Sequence, residues 1–270
     1  MKSAAFAYAQ PHSADEALML LAGSDGGTKV CGGSQSLGPM LNLRLAQVDT
    51  LVDVSRLDAL RAVELRGDVL RIGAAVTHAR IEDGALPDVT RGLLPSVAAN
   101  IAYRAVRNRG TLGGSLAHAD PKADWVSAMC LLDATLVLIG PGGECRVPAS
   151  AFFLGPFTTV LAADELLVAV DVPCFSAQAR WSYRKNCRKP GEFASAISAV
   201  WIDPARDVAR VLVGALDGMP QVRVGAGALA ALRDPAGIDA WLAEIGVADA
   251  HDHEVHAAML RRALKDIDGP

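Results

Sequence analysis

Long hydrophobic runs are missing from this chain of 270 residues. Apolar residues make up 51% of it, yet they fall in short stretches such as Ala17 to Ala22 and Ala134 to Ile139, far below the roughly 18 residues that cross a bilayer. No membrane span is expected. A secretory signal is lacking too, because Gln10, Pro11, His12, Asp15 and Glu16 precede any apolar core, and a cytoplasmic location is the corresponding expectation. Positive charge is in deficit: 26 Lys and Arg against 30 Asp and Glu give a net charge of −4, spread along the chain. A broad basic face for a phosphate backbone is therefore excluded, and nucleic acid with it as a partner. The five cysteines, Cys31, Cys130, Cys145, Cys174 and Cys187, are odd in number and never closer than 13 positions. That spacing excludes a disulfide framework and any Cys-x-x-Cys cluster. Aromatic residues are few, 5%, while glycines number 25, so loops that need backbone freedom carry the information.

The chain is long enough for about two domains of roughly 150 residues. Ser13 and Glu16 make a capping box ahead of Ala17 to Leu21, which opens a short helix ending by Gly23. Lys29 to Cys31 reads as a buried strand running into a glycine turn, with Pro39 near the start of a helix through Leu45 and a strand at Thr50 to Val54. Ala62 to Arg66 and Val69 to Gly73, joined by Gly67 and Asp68, alternate as a hairpin, and Pro95 opens an alanine-rich helix towards Arg104. A helix around Ser127 to Leu132, a strand at Ala134 to Ile139, a turn at Pro141 to Gly143 and a strand at Leu166 to Val172 follow. A boundary falls near Cys174 to Gln178. Beyond it, Trp181 to Lys185, Ala194 to Trp201 and Val208 to Ala215 predict three strands, followed by helical sequence and a tail, residues 266–270, expected to fray.

Two glycine loops stand out. Gly32, Gly33, Ser34, Gln35 and Ser36 lie between a strand and a helix, where converging backbone N–H groups and a helix N-terminus suit a phosphate. Gly110 to Asp124 joins a Gly113-Gly114 turn to the hydroxyls of Thr111 and Ser115 and to two carboxylates, Asp120 and Asp124, that suit sugar or polyol hydroxyls. Neither loop carries a Rossmann or P-loop fingerprint: Leu112 occupies the second glycine position of Gly-x-Gly-x-x-Gly, and no glycine loop ends in Gly-Lys-Ser/Thr. Either loop alone reads more often as a tight turn. Together they suggest a dinucleotide diphosphate clamped without a Rossmann motif.

Four segments resemble the FAD-binding medium subunit of molybdenum hydroxylases, the family of xanthine dehydrogenase and carbon monoxide dehydrogenase medium subunits. They are Gly33 to Leu37 with Pro39 to Leu45; Arg107 to Asp124; Phe152 to Pro156 with Glu165 to Leu167; and Tyr183 to Lys185 with Arg188 to Ala194. Ser34 stands where relatives commonly have glycine, and Glu192 and Phe193 where they often have Asp and Trp. The resemblance implies an α+β fold: a two-subdomain FAD-binding domain of the PCMH type over residues 1–175, with subdomains of about 1–55 and 56–175. A small C-terminal domain with a three-stranded antiparallel sheet and helices would follow over 178–270.

It further implies that Gly32, Gly33, Ser34, Gln35, Ser36 and Leu37 meet the FAD from one side and Thr111, Gly113, Gly114 and Ser115 from the other. Asp120 and Asp124 would lie near its hydroxyls, and Lys185 near the flavin. Capping around Pro121 is the alternative for the two aspartates, and a solvated strand end for Lys185. Arg104, Arg107 and Arg109 read as solvated charge and stay outside the site. His251, His253 and His256 sit in what reads as a polar helix start, and no metal is assigned to them. Nothing in the sequence singles out His78 or His118 for covalent attachment, so the FAD is expected to be noncovalent.

The implied function is electron transfer in a three-subunit molybdenum hydroxylase acting on a small heteroaromatic substrate. Since these cysteines cannot ligate iron–sulfur clusters, the [2Fe-2S] centres would reside on a small partner subunit and the molybdopterin cofactor on a large one, the whole being a dimer of heterotrimers. No catalytic acid or nucleophile is required of this chain. A self-contained FAD-dependent reductase or oxidase on the same fold is the second reading, and a flavin-free scaffold the third. The match of all four segments argues against the former, the glycine loops against the latter.

Overall fold

The chain's structure, a computed structural model, describes residues 2–24 and 26–268. It begins with a parallel sheet of β1 (Ala7–Ala9), β2 (Thr28–Cys31) and β3 (Thr50–Asp53) in the order β1-β3-β2. Parallel neighbours need crossovers, and α1 (Ala14–Ala22) and α2 (Leu37–Asn42) lie in them. The Ser13 hydroxyl accepts the Glu16 N–H at 3.1 Å and the Glu16 carboxylate accepts the His12 N–H at 2.7 Å, so the capping pair forms with its second bond displaced by one residue.

After α3 (Asp58–Arg61) comes the hairpin β4 (Val63–Arg66) and β5 (Val69–Gly73), turning at Gly67 with φ +62. Five helices separate it from the rest of its sheet: α4 (His78–Glu82), α5 (Leu93–Ala99), α6 (Arg104–Arg107), α7 (Leu112–His118) and α8 (Asp124–Leu132). The helix expected from Pro95 to Arg104 is thus two pieces, because Ala102 turns the backbone to φ +43 between them. Then follow β6 (Thr135–Gly140), β7 (Gly143–Pro148), α9 (Ala149–Phe152), a hairpin of β8 (Phe153–Gly155) and β9 (Thr158–Thr159), and β10 (Leu166–Pro173). The antiparallel five-stranded sheet has the order β4-β5-β10-β6-β7. β7, an exposed edge strand with Glu144, Cys145 and Arg146, carries too little apolar alternation to be legible in the sequence.

The C-terminal sheet is antiparallel: β11 (Arg180–Asn186), β12 (Ala196–Asp203), β13 (Val208–Gly214) and β14 (Gln221–Val224). It has four strands where the sequence predicts three. The added β14 is a four-residue edge with Gln221 and Arg223 in it, so its pattern lacks a buried face. Helices α10 (Ala226–Ala231), α11 (Pro235–Glu244) and α12 (Ala250–Asp268) complete the chain. Of the tail expected to fray, Asp266 accepts from Ser182 and Arg184 at 2.6 Å and Asp268 from Arg233, so both are held in α12, while residues 269 and 270 lie outside the described residues.

One helix organises the packing. Every residue of α8 is buried, including Trp125, Met129 and Leu131, as expected of a helix with sheets on both sides. It packs on β10 and, across the molecule, on β12 and β13, so a single apolar cluster runs from Leu70, Ile72 and Val170 to Ile197, Ala199 and Leu212. The other face of the C-terminal sheet is covered by α11 and α12 around Trp241 and Leu260. Among the described residues no helix is long and apolar enough to cross a membrane.

Asp171 of β10 is 3% exposed and clamped by Arg71, through two hydrogen bonds of 2.7 and 2.8 Å, and by Arg146 at 2.6 Å. Burial alone would raise its carboxyl, but the two guanidiniums hold it below the usual range. Asp171→Ala is expected to destabilise the protein by about 3 kcal/mol, because it strands a mostly buried Arg71, and a lower urea midpoint at unchanged slope is the measure.

Candidate functional site

The two glycine loops touch. A Cβ placed on Gly33 would overlap the carbonyl oxygen of Arg109 and come 2.7 Å from the Cα of Gly110, and one on Gly32 would come 2.6 Å from Thr111 Oγ1. Only bare backbone can cross at that distance. None of Gly32, Gly33, Gly110, Gly113 and Gly114 has a positive φ; these glycines are needed for closeness, not for backbone freedom. Positive φ in the first loop belongs instead to Ser34, at +57, the position where the resembled family commonly has glycine.

The first loop climbs from β2 at the carboxyl end of the parallel sheet and enters α2 at Leu37. Gln35 Nε2 donates to Gly33 O at 3.0 Å and Gly38 N to Ser34 O at 3.1 Å. The amide N–H groups of Gly33, Ser34, Gln35 and Ser36 have no acceptor among the described residues, which leaves four donors gathered in one turn. Beneath them, burial pushes the Cys31 thiol up, with a hydrogen bond to Ser34 offsetting part of the rise.

The second loop spends its amides inward. Leu112 N donates to Val76 O and Gly113 N to Ala74 O, both at 2.9 Å, while His78 N donates to Gly110 O, so the loop is stitched like a strand to residues 74–78. Thr111 Oγ1 accepts the Gly114 N–H at 3.1 Å as the cap of α7, Ser115 N donates to Thr111 O, and Gly114 is exposed. What this loop can offer a ligand is its hydroxyls and the bare surface of Gly114. Residues 74–78 escaped the sequence reading because nothing in them marks a partner for a distant loop.

Asp120 accepts the Lys122 N–H at 2.9 Å, a local turn around Pro121. Asp124 opens α8 and is 5% exposed; its carboxylate accepts from Lys185 Nζ at 2.7 Å and from the Tyr183 hydroxyl at 3.2 Å. Lys185 also donates to Asn100 O at 3.0 Å and its side chain is buried, so it is not the solvated strand end that was its alternative. Burial pushes the Asp124 carboxyl up against the opposing pull of Lys185. The pair instead joins α8 and β11. Arg107, read as solvated, is mostly buried: it binds Glu82 through two hydrogen bonds and donates to Ile101 O and Ala102 O, fixing the turn ahead of the second loop. His118 packs on Phe157 at 5.2 Å between ring centres, and His78 lies buried against Trp125. Among the described residues no group of three or more His, Cys, Asp or Glu is placed to hold a metal ion.

Lys185→Met is expected to cost about 3 kcal/mol at pH 8, by leaving the Asp124 carboxylate buried without its cation. Without Lys185 the burial that already raises this carboxyl acts unopposed, so Asp124 of the variant takes up its proton before that of wild type and the loss shrinks as pH is lowered from 8. Thermal melts of both proteins across that range give the difference.

Residues 4–175 match the family described as the FAD binding domain in molybdopterin dehydrogenase. The chain is similar to the carbon monoxide dehydrogenase medium chain of Hydrogenophaga pseudoflava, with 38% identity over 195 residues, 72% of this chain and 68% of that one. It is likewise similar to the nicotine 6-hydroxylase medium subunit of Paenarthrobacter nicotinovorans, 37% identical over 227 residues, covering 82% and 78%. Among solved structures, carbon monoxide dehydrogenase from Hydrogenophaga pseudoflava superposes with a TM-score of 0.88 at 32% identity, over 99% of this chain and 98% of that one. Quinoline 2-oxidoreductase from Pseudomonas putida 86 gives 0.85 at 32%, over 100% and 99%. With the crossed glycine loops inside the matched region, the chain belongs to the FAD-binding subunits of the molybdenum hydroxylases, a flavoprotein component of an oxidoreductase.

Proposed function

We propose that this chain is the electron-transfer subunit of a three-component molybdenum hydroxylase. It takes electrons from [2Fe-2S] clusters on a small subunit and passes them to an external acceptor while a large molybdopterin subunit hydroxylates a small, heteroaromatic substrate. The observation that carries the reading is the crossing of Gly33 over Arg109 and Gly110 beside four consecutive amides with no acceptor among the described residues, which suits an anion held between two distant loops. The heteroaromatic substrate class is supported by relatives named nicotine 6-hydroxylase medium subunit and caffeine dehydrogenase subunit beta. Assembly as a dimer of heterotrimers and a cytoplasmic location belong to the same proposal.

In this reading the amides of Gly33, Ser34, Gln35 and Ser36 donate to the diphosphate, with Gly32 and Leu37 shaping the turn. Thr111 and Ser115 contribute hydroxyls, Gly114 leaves bare backbone towards the ligand, and Gly113 lets the loop close on Ala74. Asp120 holds the turn into α8, and Asp124 and Lys185, paired with each other, hold β11 beside the loops, with Asp124 towards the FAD hydroxyls and Lys185 towards the flavin. FAD, when bound, supplies the step between one-electron and two-electron carriers; the chain contributes position and electrostatics.

Gly33→Ala is expected to abolish FAD binding by prising the loops apart, Ser34→Gly to retain it and Ser34→Val to lose it, since a branched residue resists positive φ. Flavin retained after gel filtration, with circular dichroism as the folding control, reads all three. In stopped flow, substrate is expected to bleach the flavin of the three-subunit complex and leave that of the isolated chain oxidised; bleaching of the isolated chain would instead make it a self-contained flavoenzyme.

A further inference from the structure

His78 is held at three points. Its backbone N–H donates to Gly110 O at 2.9 Å, its ring Nδ1 accepts the Trp125 indole N–H at 3.0 Å, and its ring lies so near the second loop that a Cβ on Gly110 would come 2.7 Å from Nε2. The side chain is 5% exposed. Accepting at Nδ1 requires a neutral ring with its proton on Nε2. Burial, with the Arg107 guanidinium adding to it, pushes this imidazole down to about 4, so the required form prevails at neutral pH. Arg107 is the charged group that faces the ring, and it is itself bound by Glu82. On the far side, Trp125 follows Asp124 in the first turn of α8, the turn anchored by Lys185 and Tyr183.

We propose that His78, locked by Trp125, is a positioning residue for the bound flavin: its ring is the wall on which Gly110 rests, and it sets the height at which the second loop meets the first. The proposal rests on the reading that these loops hold FAD. Gly110 lies between the ring and Gly33, with a side chain on neither glycine, so a displacement of the ring passes directly to the crossing. A ring freed from Trp125 can turn, leaving both a buried indole N–H unpaired and Gly110 without its seat. The demand is for an acceptor at the Nδ1 position, and asparagine Oδ1 occupies nearly the same place.

The test is titration of folded apoprotein with FAD, read by flavin fluorescence, beside thermal melts of the same samples. His78→Leu and Trp125→Phe are each expected to weaken FAD binding about tenfold, from the loss of one buried hydrogen bond and the loosened seat. The double variant is expected to match the worse single within about twofold, and His78→Asn to stay within about threefold of wild type. If His78→Leu does not fold, Trp125→Phe against His78→Asn carries the comparison. Variants that melt earlier yet bind FAD like wild type would make His78 a plain core residue and overturn the proposal alone. A wild type that binds no FAD overturns the loop reading and the proposal with it.

Discussion

Where Gly33 passes over the carbonyl of Arg109 and the Cα of Gly110, two backbones meet with no side chain between them, and the geometry of the whole site follows from that contact. The approach keeps the first loop in direct backbone contact with the second. It also explains how the amides divide: the second loop turns its own inward to Ala74 and Val76, as a rigid base, while those of Gly33 to Ser36 have no acceptor among the described residues. A cradle of this kind needs no Gly-x-Gly-x-x-Gly pattern, because its floor and its wall come from different parts of the chain.

Rigidity behind the crossing comes from α8. Buried on every side, it fixes the five-stranded sheet against the C-terminal sheet, and its two ends carry polar contacts that reach beyond the apolar cluster. At the first turn, Asp124 and Trp125 point to β11 and to His78. At the last, the carbonyls of Cys130 and Leu131 accept from Arg210 of β13, satisfying groups a helix end leaves unpaired. The C-terminal sheet is therefore bound into the same frame that supports the loops, although the family match itself ends at residue 175.

Local structure was legible in the sequence wherever a short-range rule applied. The box at Ser13 and Glu16, the turn at Gly67 and the apolar runs of β10, β12 and β13 all depend on neighbours within a few positions. The polar edges β7 and β14 were not legible, since an edge strand with one wet face and few apolar residues follows no period. Both glycine loops were visible as loops, but the reason for their glycines was not: at Gly33 and Gly110 glycine answers to a neighbour far along the chain rather than to its own φ.

The sequence by itself determined the apolar strands and the capped first helix, the strand-to-helix setting of the first loop, the absence of clustered thiolates and, through four segments, the family. Tertiary structure alone decided that Asp124 and Lys185 neutralise each other, that Arg107 braces a turn instead of facing solvent, and that His78 differs from His118. The physical reason is range: capping and turn chemistry act within a few residues, whereas desolvation and ion pairing depend on which distant segments are packed together, and that is fixed only when the sheets close on α8.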